Sequence, residues 1–422
     1  MIKKIILGVA LATTCHTFAQ QGTASPYSYY GFGDQHFKGS NEIKSMGSLA
    51  VYSDSLHINT LNPASYAKLQ TVTFSLGASY KGTQLKNTST SEKTTSGSFD
   101  YLALAFPAGK FNVALGIMPY SFVGYNIQNI NTTSEYKESR QFIGEGGLNR
   151  TFLGLSYKLN KNLSFGLNGA YIFGDTETSL TKFILDNNDG VIFDRGSRIR
   201  NVNNYSGLTL TAGLNYEQPL SKKLKLYTSA TFSPEMKLKN DQTKTLATVE
   251  VDSRIGLIEI NATTTQNSNE EMLLPMNFSV GAGIGNHLQW FAGAEYTTAQ
   301  TSKYNSFYKY ENASYNDYMK IGLGGFYTPK YNSFTSYFER MTYRAGFNYE
   351  NTGLVLKNQE IKGINANVGL GFPVGRFNSN INFGVEYGQK GNTNMGLIKE
   401  NYVGFNIGLS FNDIWFKRRK FD

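Results

Sequence analysis

Cysteine is almost absent from this chain of 422 residues: the one example, Cys15, sits in the N-terminal leader. Once the leader is removed no thiol remains, which excludes disulfides, thiolate metal ligands and a cysteine nucleophile. As a lipid-attachment site Cys15 fits poorly, because the residues just before it match the required pattern badly. Long hydrophobic runs are missing too. The apolar run 5–12 is far short of the roughly 20 residues that a membrane-spanning helix needs, and no later stretch comes close. Any membrane crossing must therefore be made by strands. Histidine is scarce, and His36, His57 and His287 stand isolated in sequence. There is no Gly-x-Ser-x-Gly, no His-Glu-x-x-His and no Gly-rich phosphate loop, so the chain reads as a non-enzyme without metal or cofactor. Asp186-Asn187-Asn188-Asp189-Gly190 has its glycine one position too early for a calcium loop, and no acid at the twelfth place. The formal charge of +9 is dispersed except for Lys417-Arg418-Arg419-Lys420, which is no nucleic-acid footprint.

What is abundant is tyrosine (28), phenylalanine (29) and glycine (43). Lys3 and Lys4, the apolar run and Thr17-Phe18-Ala19 make an export signal over 1–19. From Val72 the sequence repeats a unit of alternating apolar and small polar residues followed by a turn. Leu208, Leu210, Ala212, Leu214 and Tyr216 share one face, with Thr209, Thr211, Gly213 and Asn215 on the other. Period two over that length specifies strand, not helix. Fourteen such units fall at 72–80, 99–107, 111–120, 150–159, 162–173, 205–217, 223–233, 275–286, 288–298, 317–328, 340–350, 363–373, 379–389 and 401–411. Short turns alternate with long polar segments, notably 121–149, 174–204 and 234–274, as in barrels with periplasmic turns and external loops. The stretch 329–339 reads as an extended periplasmic turn. The expected fold is an all-β, fourteen-stranded antiparallel transmembrane barrel over 71–411 in the outer membrane of a Gram-negative bacterium, among outer-membrane lipid and lipopolysaccharide.

The inward register carries Gly, Asn, Ser and Thr, as a hydrated or plug-filled lumen would. It also carries Glu295, Lys320, Arg344 and Glu386, read either as mutual neutralisation or as a ligand site; on the lipid face a base at midplane would cost about 2–4 kcal/mol. Residues 20–70 are too aromatic for a free tail, and the lumen is the nearest sheltered space, so they are read as a plug.

At Met46-Gly47-Ser48-Leu49-Ala50 and Asn62-Pro63-Ala64, just before the first strand, the chain resembles the FadL-type outer-membrane transporters of long-chain fatty acids and other hydrophobic compounds. The resemblance implies an N-terminal plug, and an inward kink in the third strand that lets a hydrophobic ligand leave sideways into the membrane. Pro119, followed by Tyr120 and Phe122, is the corresponding interruption here, although a proline at that place also ends a strand at the outer rim. The implied function is uptake of a hydrophobic small molecule by movement of the plug near Asn62, Pro63 and Ala64. Phe183, Ile184, Leu185, Leu273 and Leu274 in external loops would capture it, and Lys320 and Arg344 would meet its carboxylate if it is an acid. The alternative is a non-transporting barrel, a structural subunit of an outer-membrane secretion or protein-assembly complex. The tail 412–422 supports it: Trp415, Phe416, Lys417, Arg418 and Arg419 are either an interfacial anchor or a handle for other outer-membrane or periplasmic proteins.

Overall fold

The computed structural model describes residues 22–132, 137–186, 194–252, 254, 256–287, 289–306, 310, 312–374 and 379–414. The leader 1–19, most of the calcium-like segment (187–190) and the tail residues Trp415 to Arg419 lie outside the described residues.

Fourteen strands build one antiparallel sheet: β1 (Val72–Lys86), β2 (Ser91–Ala108), β3 (Phe111–Asn131), β4 (Lys137–Lys158), β5 (Leu163–Leu185), β6 (Arg195–Pro219), β7 (Lys225–Ser233, continued as Met236–Asp252), β8 (Gly256–Leu274, continued as Asn277–Asn286), β9 (Trp290–Ala299), β10 (Tyr318–Tyr327), β11 (Thr342–Leu356), β12 (Gln359–Val374), β13 (Ser379–Lys390) and β14 (Lys399–Asp413). Closure comes from β14 on β1, in register from Lys399↔Lys86 to Asp413↔Val72. The closed ring removes the sheet edges that a bilayer does not tolerate. No helix among the described residues is long and apolar enough to cross a membrane.

The alternation read from the sequence sorts side chains as expected. Leu208, Val368 and Phe405 stand outward at 64%, 58% and 56% exposure, whereas Asn215, Asn367 and Asn406 point inward and are buried. Fully burying a large apolar side chain is worth roughly 1.5–3 kcal/mol, so a continuous outer belt of them is stable only against hydrocarbon. This is an outer-membrane barrel.

Most strands are longer than the 9–12 residues their sequence period marks, while β9, β10 and β13 stay within it. The segments 121–149, 174–204 and 234–274, expected as polar loops, are mostly hairpin: β3 and β4 pair out to Asn131↔Glu138, β5 and β6 to Lys182↔Ser197, β7 and β8 to Asp252↔Gly256. A membrane strand needs about 9–11 residues, so these tips stand in water. With both faces wet no apolar alternation is required, and the period-two signal vanishes although the pairing continues. Phe183, Ile184 and Leu185 accordingly lie in β5, and Leu273 and Leu274 in β8, where both leucines are buried rather than offered as a capture surface. Between β10 and β11 the residues 328–341 form a turn with one short helical stretch, so the strand count stands.

Candidate functional site

The N-terminal segment threads the lumen from the long-hairpin end to the short-turn end. At the outer end Ser25 donates to Glu400 at 2.5 Å and the Tyr27 hydroxyl donates to the Ile398 carbonyl. Midway, a short helix (Asn41–Ser45) ends in Gly47, whose positive φ of 73° turns the chain against the wall. A Cβ on Gly346 would collide with the Gly47 amide nitrogen, so this approach requires glycine on the barrel side. At the inner end Asn62, Pro63 and Ala64 open a short helical turn (Pro63–Lys68). Asn62 caps that turn by accepting from the Ala64 amide at 3.0 Å, and its Nδ2 donates to Asn215 Oδ1 at 2.7 Å and to the Leu214 carbonyl at 3.2 Å. Gly166 and Gly213 lie beneath the motif, where a Cβ would strike Pro63 and Asn62. The small inward residues thus make room for a plug.

The four lumen charges are engaged mainly by the plug rather than by one another. Glu295 accepts from the Ala50 amide at 2.6 Å, and Glu386 pairs with Lys44 at 3.1 Å. Arg344 donates to Asn382 at 2.9 Å, and Asn382 in turn donates to Glu42 at 2.7 Å. Lys320 lines the lumen cavity together with Glu295. Further plug ties, Lys68 to Glu217 at 2.9 Å and Asp34 to Lys390 at 2.7 Å, were not legible because spacing gives no hint of partners so far apart in the chain.

Two histidines isolated in sequence find acids. His36 reaches Asp100 on β2 at 3.2 Å, and His57 Nδ1 lies 2.7 Å from Asp54. Burial opposes ionisation of Asp54, but the charge and ring hydrogen bond of His57, with the Leu56 and His57 amides, hold its carboxyl down at about 2. Burial likewise opposes a charged His57, and the Asp54 carboxylate overcomes it and raises the imidazole pKa.

Beside Pro119 the wall changes. The strand does not end there, contrary to the rim reading, but continues to Asn131 with Tyr120 as an extra residue between the Pro119↔Asn149 and Ser121↔Leu148 pairs. The proline, lacking an amide donor, sits at a bulge, where strands tolerate it. On the other side β2 and β3 pair only from Ala108↔Phe111 to Leu102↔Ile117. Beyond that point β2 follows β1 to Ser91 and β3 follows β4, so the two have no register with each other. The plug occupies the freed edge: Asp34 and Gln35 pair with Phe122 and Ser121, the His36 amide donates to the Tyr120 carbonyl at 3.1 Å, and the Gly124 amide donates to Ser28 Oγ at 3.1 Å. Inside lies a cavity of about 490 Å³ whose lining includes Ser96 and Ser98 of β2, Tyr120 and Phe122 of β3, and Lys38 of the plug.

A plugged fourteen-stranded barrel with its third strand bulged away from its second has the fold of the FadL-type outer-membrane barrels. The profile of the BamG family matches residues 1–422, and the chain belongs to that family. It is similar in fold to the CymD monoaromatic hydrocarbon channel (13% identity, 90% of this chain and 99% of that one, TM-score 0.55) and to a Pseudomonas aeruginosa FadL homologue (14%, 90% and 99%, TM-score 0.55). It is likewise similar to the P. putida toluene transporter TodX (14%, 90% and 100%, TM-score 0.56). At such identities these likenesses speak for the fold. No curated protein matches it in sequence.

Proposed function

We propose that this barrel gives a hydrophobic small molecule passage across the outer leaflet, with the plug as gate and the β2–β3 gap as lateral exit. The observation that carries this reading is the loss of β2–β3 pairing beyond Leu102↔Ile117, beside a cavity lined from both strands. Open backbone edges are costly in hydrocarbon, so a gap that begins beside the lipid-facing belt and is covered by the plug has a use. The fold neighbours whose titles name hydrocarbon channels and a toluene transporter support it.

A second reading has its own observation. The plug is fastened around the lumen by Glu400, Lys390, Glu386, Glu295 and Glu217, and the cavity lining carries many charged side chains beside its apolar ones. That arrangement suits a closed barrel serving as a structural subunit of an outer-membrane protein-assembly complex. Native mass spectrometry after mild detergent extraction separates the two. A retained amphiphile near one equivalent, lost when Asn62 or Tyr120 is altered, supports passage; an empty barrel in stoichiometric association with other proteins rejects it in favour of the subunit.

A further inference from the structure

We infer that Lys38 of the plug and Arg150 of β4 form a binding site for an anionic group, a phosphate or carboxylate, inside the lumen. Three other basic side chains that fasten the plug meet an acid directly: Lys44 with Glu386, Lys68 with Glu217, Lys390 with Asp34. Among the described residues no carboxylate pairs with Lys38 or Arg150. Instead the Lys38 ammonium lies 4.0 Å above the Tyr120 ring, and the Arg150 guanidinium lies 5.7 Å from the Phe152 ring. Arg150 is 9% exposed, and its Nε has no hydrogen-bond partner. The nearby Tyr66 hydroxyl is also buried without a partner. Both cations line the same cavity.

Two like charges facing one cavity, Arg150 buried and Lys38 half-buried, with donors unspent, are costly unless a negative group joins them. Burial, and then the charge of Arg150, brings the Lys38 ammonium down to about 7, as expected of a cation waiting for its counter-charge. A guanidinium offers the two parallel donors that fit phosphate or carboxylate, and the ammonium adds a point charge. Tyr120 supplies a flat apolar wall, which suits an anionic group carried on a greasy body as well as a free ion. The site lies one residue row from the Pro119 bulge, with Arg150 opposite Met118. It stands under either reading of the barrel, because a bound anion is compatible with passage and with a closed subunit.

The test is isothermal calorimetry on the full-length protein in dodecyl maltoside, titrated separately with inorganic phosphate, dodecyl phosphate and dodecanol. Saturable binding of phosphate, weakened at least tenfold in Arg150→Gln and in Lys38→Met, identifies a free-anion site. Binding of dodecyl phosphate without inorganic phosphate, with the same losses, identifies an amphiphile headgroup. Dodecanol binding as tightly as dodecyl phosphate, wild-type affinity in both variants, or no heat with any probe overturns the site. Retained heat-modifiable migration on gels shows that each variant is folded. Should Arg150→Gln not fold, Lys38→Met, carried on the plug, decides alone, and Arg150→Lys is expected to keep part of the affinity.

Discussion

At the scale of single residues, Asn62 is where local and distant structure meet: one side chain caps its own turn and ties that turn to β6 from a fully buried position. Replacing it with alanine leaves the Asn215 amide group and the Leu214 carbonyl without that partner, at a cost of about 1–3 kcal/mol. The expected outcome is a plug that opens more often, read as faster maleimide labelling of a cysteine placed at Ala50, with heat-modifiable migration unchanged. Gly213→Val attacks the same contact from the wall and is expected to do more, because a Cβ there already collides with Asn62. Unchanged labelling in both would mean that this contact does not hold the plug. The Asp54–His57 pair makes a pH prediction. His57 is raised above its unfolded value, so its contribution is complete below about pH 6.5 and is lost as the pH rises through the folded value. Asp54 is depressed, so its share is present above about pH 4 and lost only as the pH falls towards 2. Thermal scans should therefore show an alkaline loss of stability that His57→Gln abolishes; a wild-type slope in that variant would exclude the pair as its source. The sequence announced Asn62 through its motif but not His57, since a histidine three residues from an aspartate looks like any turn.

At the scale of elements, the membrane-embedded part of each strand was legible, and the part outside was not, for one physical reason. Alternation is written only where one face meets lipid and the other the lumen, as in β12 and β14; in 256–274 of β8 the run Asn261-Ala262-Thr263-Thr264-Thr265 is exposed on both faces. Pro119 was visible as an interruption, but the sequence left open whether the strand ended or bulged. The answer depended on whether β3 still had a partner beyond it, which β4 supplies out to Glu138 and the plug supplies on the other edge. Deleting Tyr120 removes the extra residue and should let β3 resume its register against β4, bringing its outer half back towards β2. If the gap is the exit, cells expressing that variant are expected to take up a fluorescent hydrophobic probe at least tenfold more slowly than those with the wild-type barrel, at equal surface abundance. Equal uptake would remove the lateral route.

At the scale of the whole molecule, the polar lumen acquires its meaning from what fills it. Asparagine, serine and glycine on the inward face looked equally suited to water or to protein, and only the seating of Gly47 on Gly346 and of Asn62 on Gly213 decides for protein. Charges that read as a candidate ligand site, Glu295, Arg344 and Glu386, are largely used up in holding the plug, whereas Lys38 and Arg150, which no spacing rule singled out, meet no acid among the described residues. A barrel filled this way is expected to leave no continuous water column wide enough for ions. Reconstituted in a planar bilayer, the intact protein is expected to show no steady conductance steps. Removing residues 22–70 takes away the plug but none of the fourteen paired strands, and the Asn- and Ser-lined interior then hydrates as a porin lumen does. That variant should conduct in discrete, long-lived steps. If it fails to form a heat-modifiable barrel instead, the plug is the core on which the barrel folds, and its many buried ties serve assembly of the molecule rather than gating.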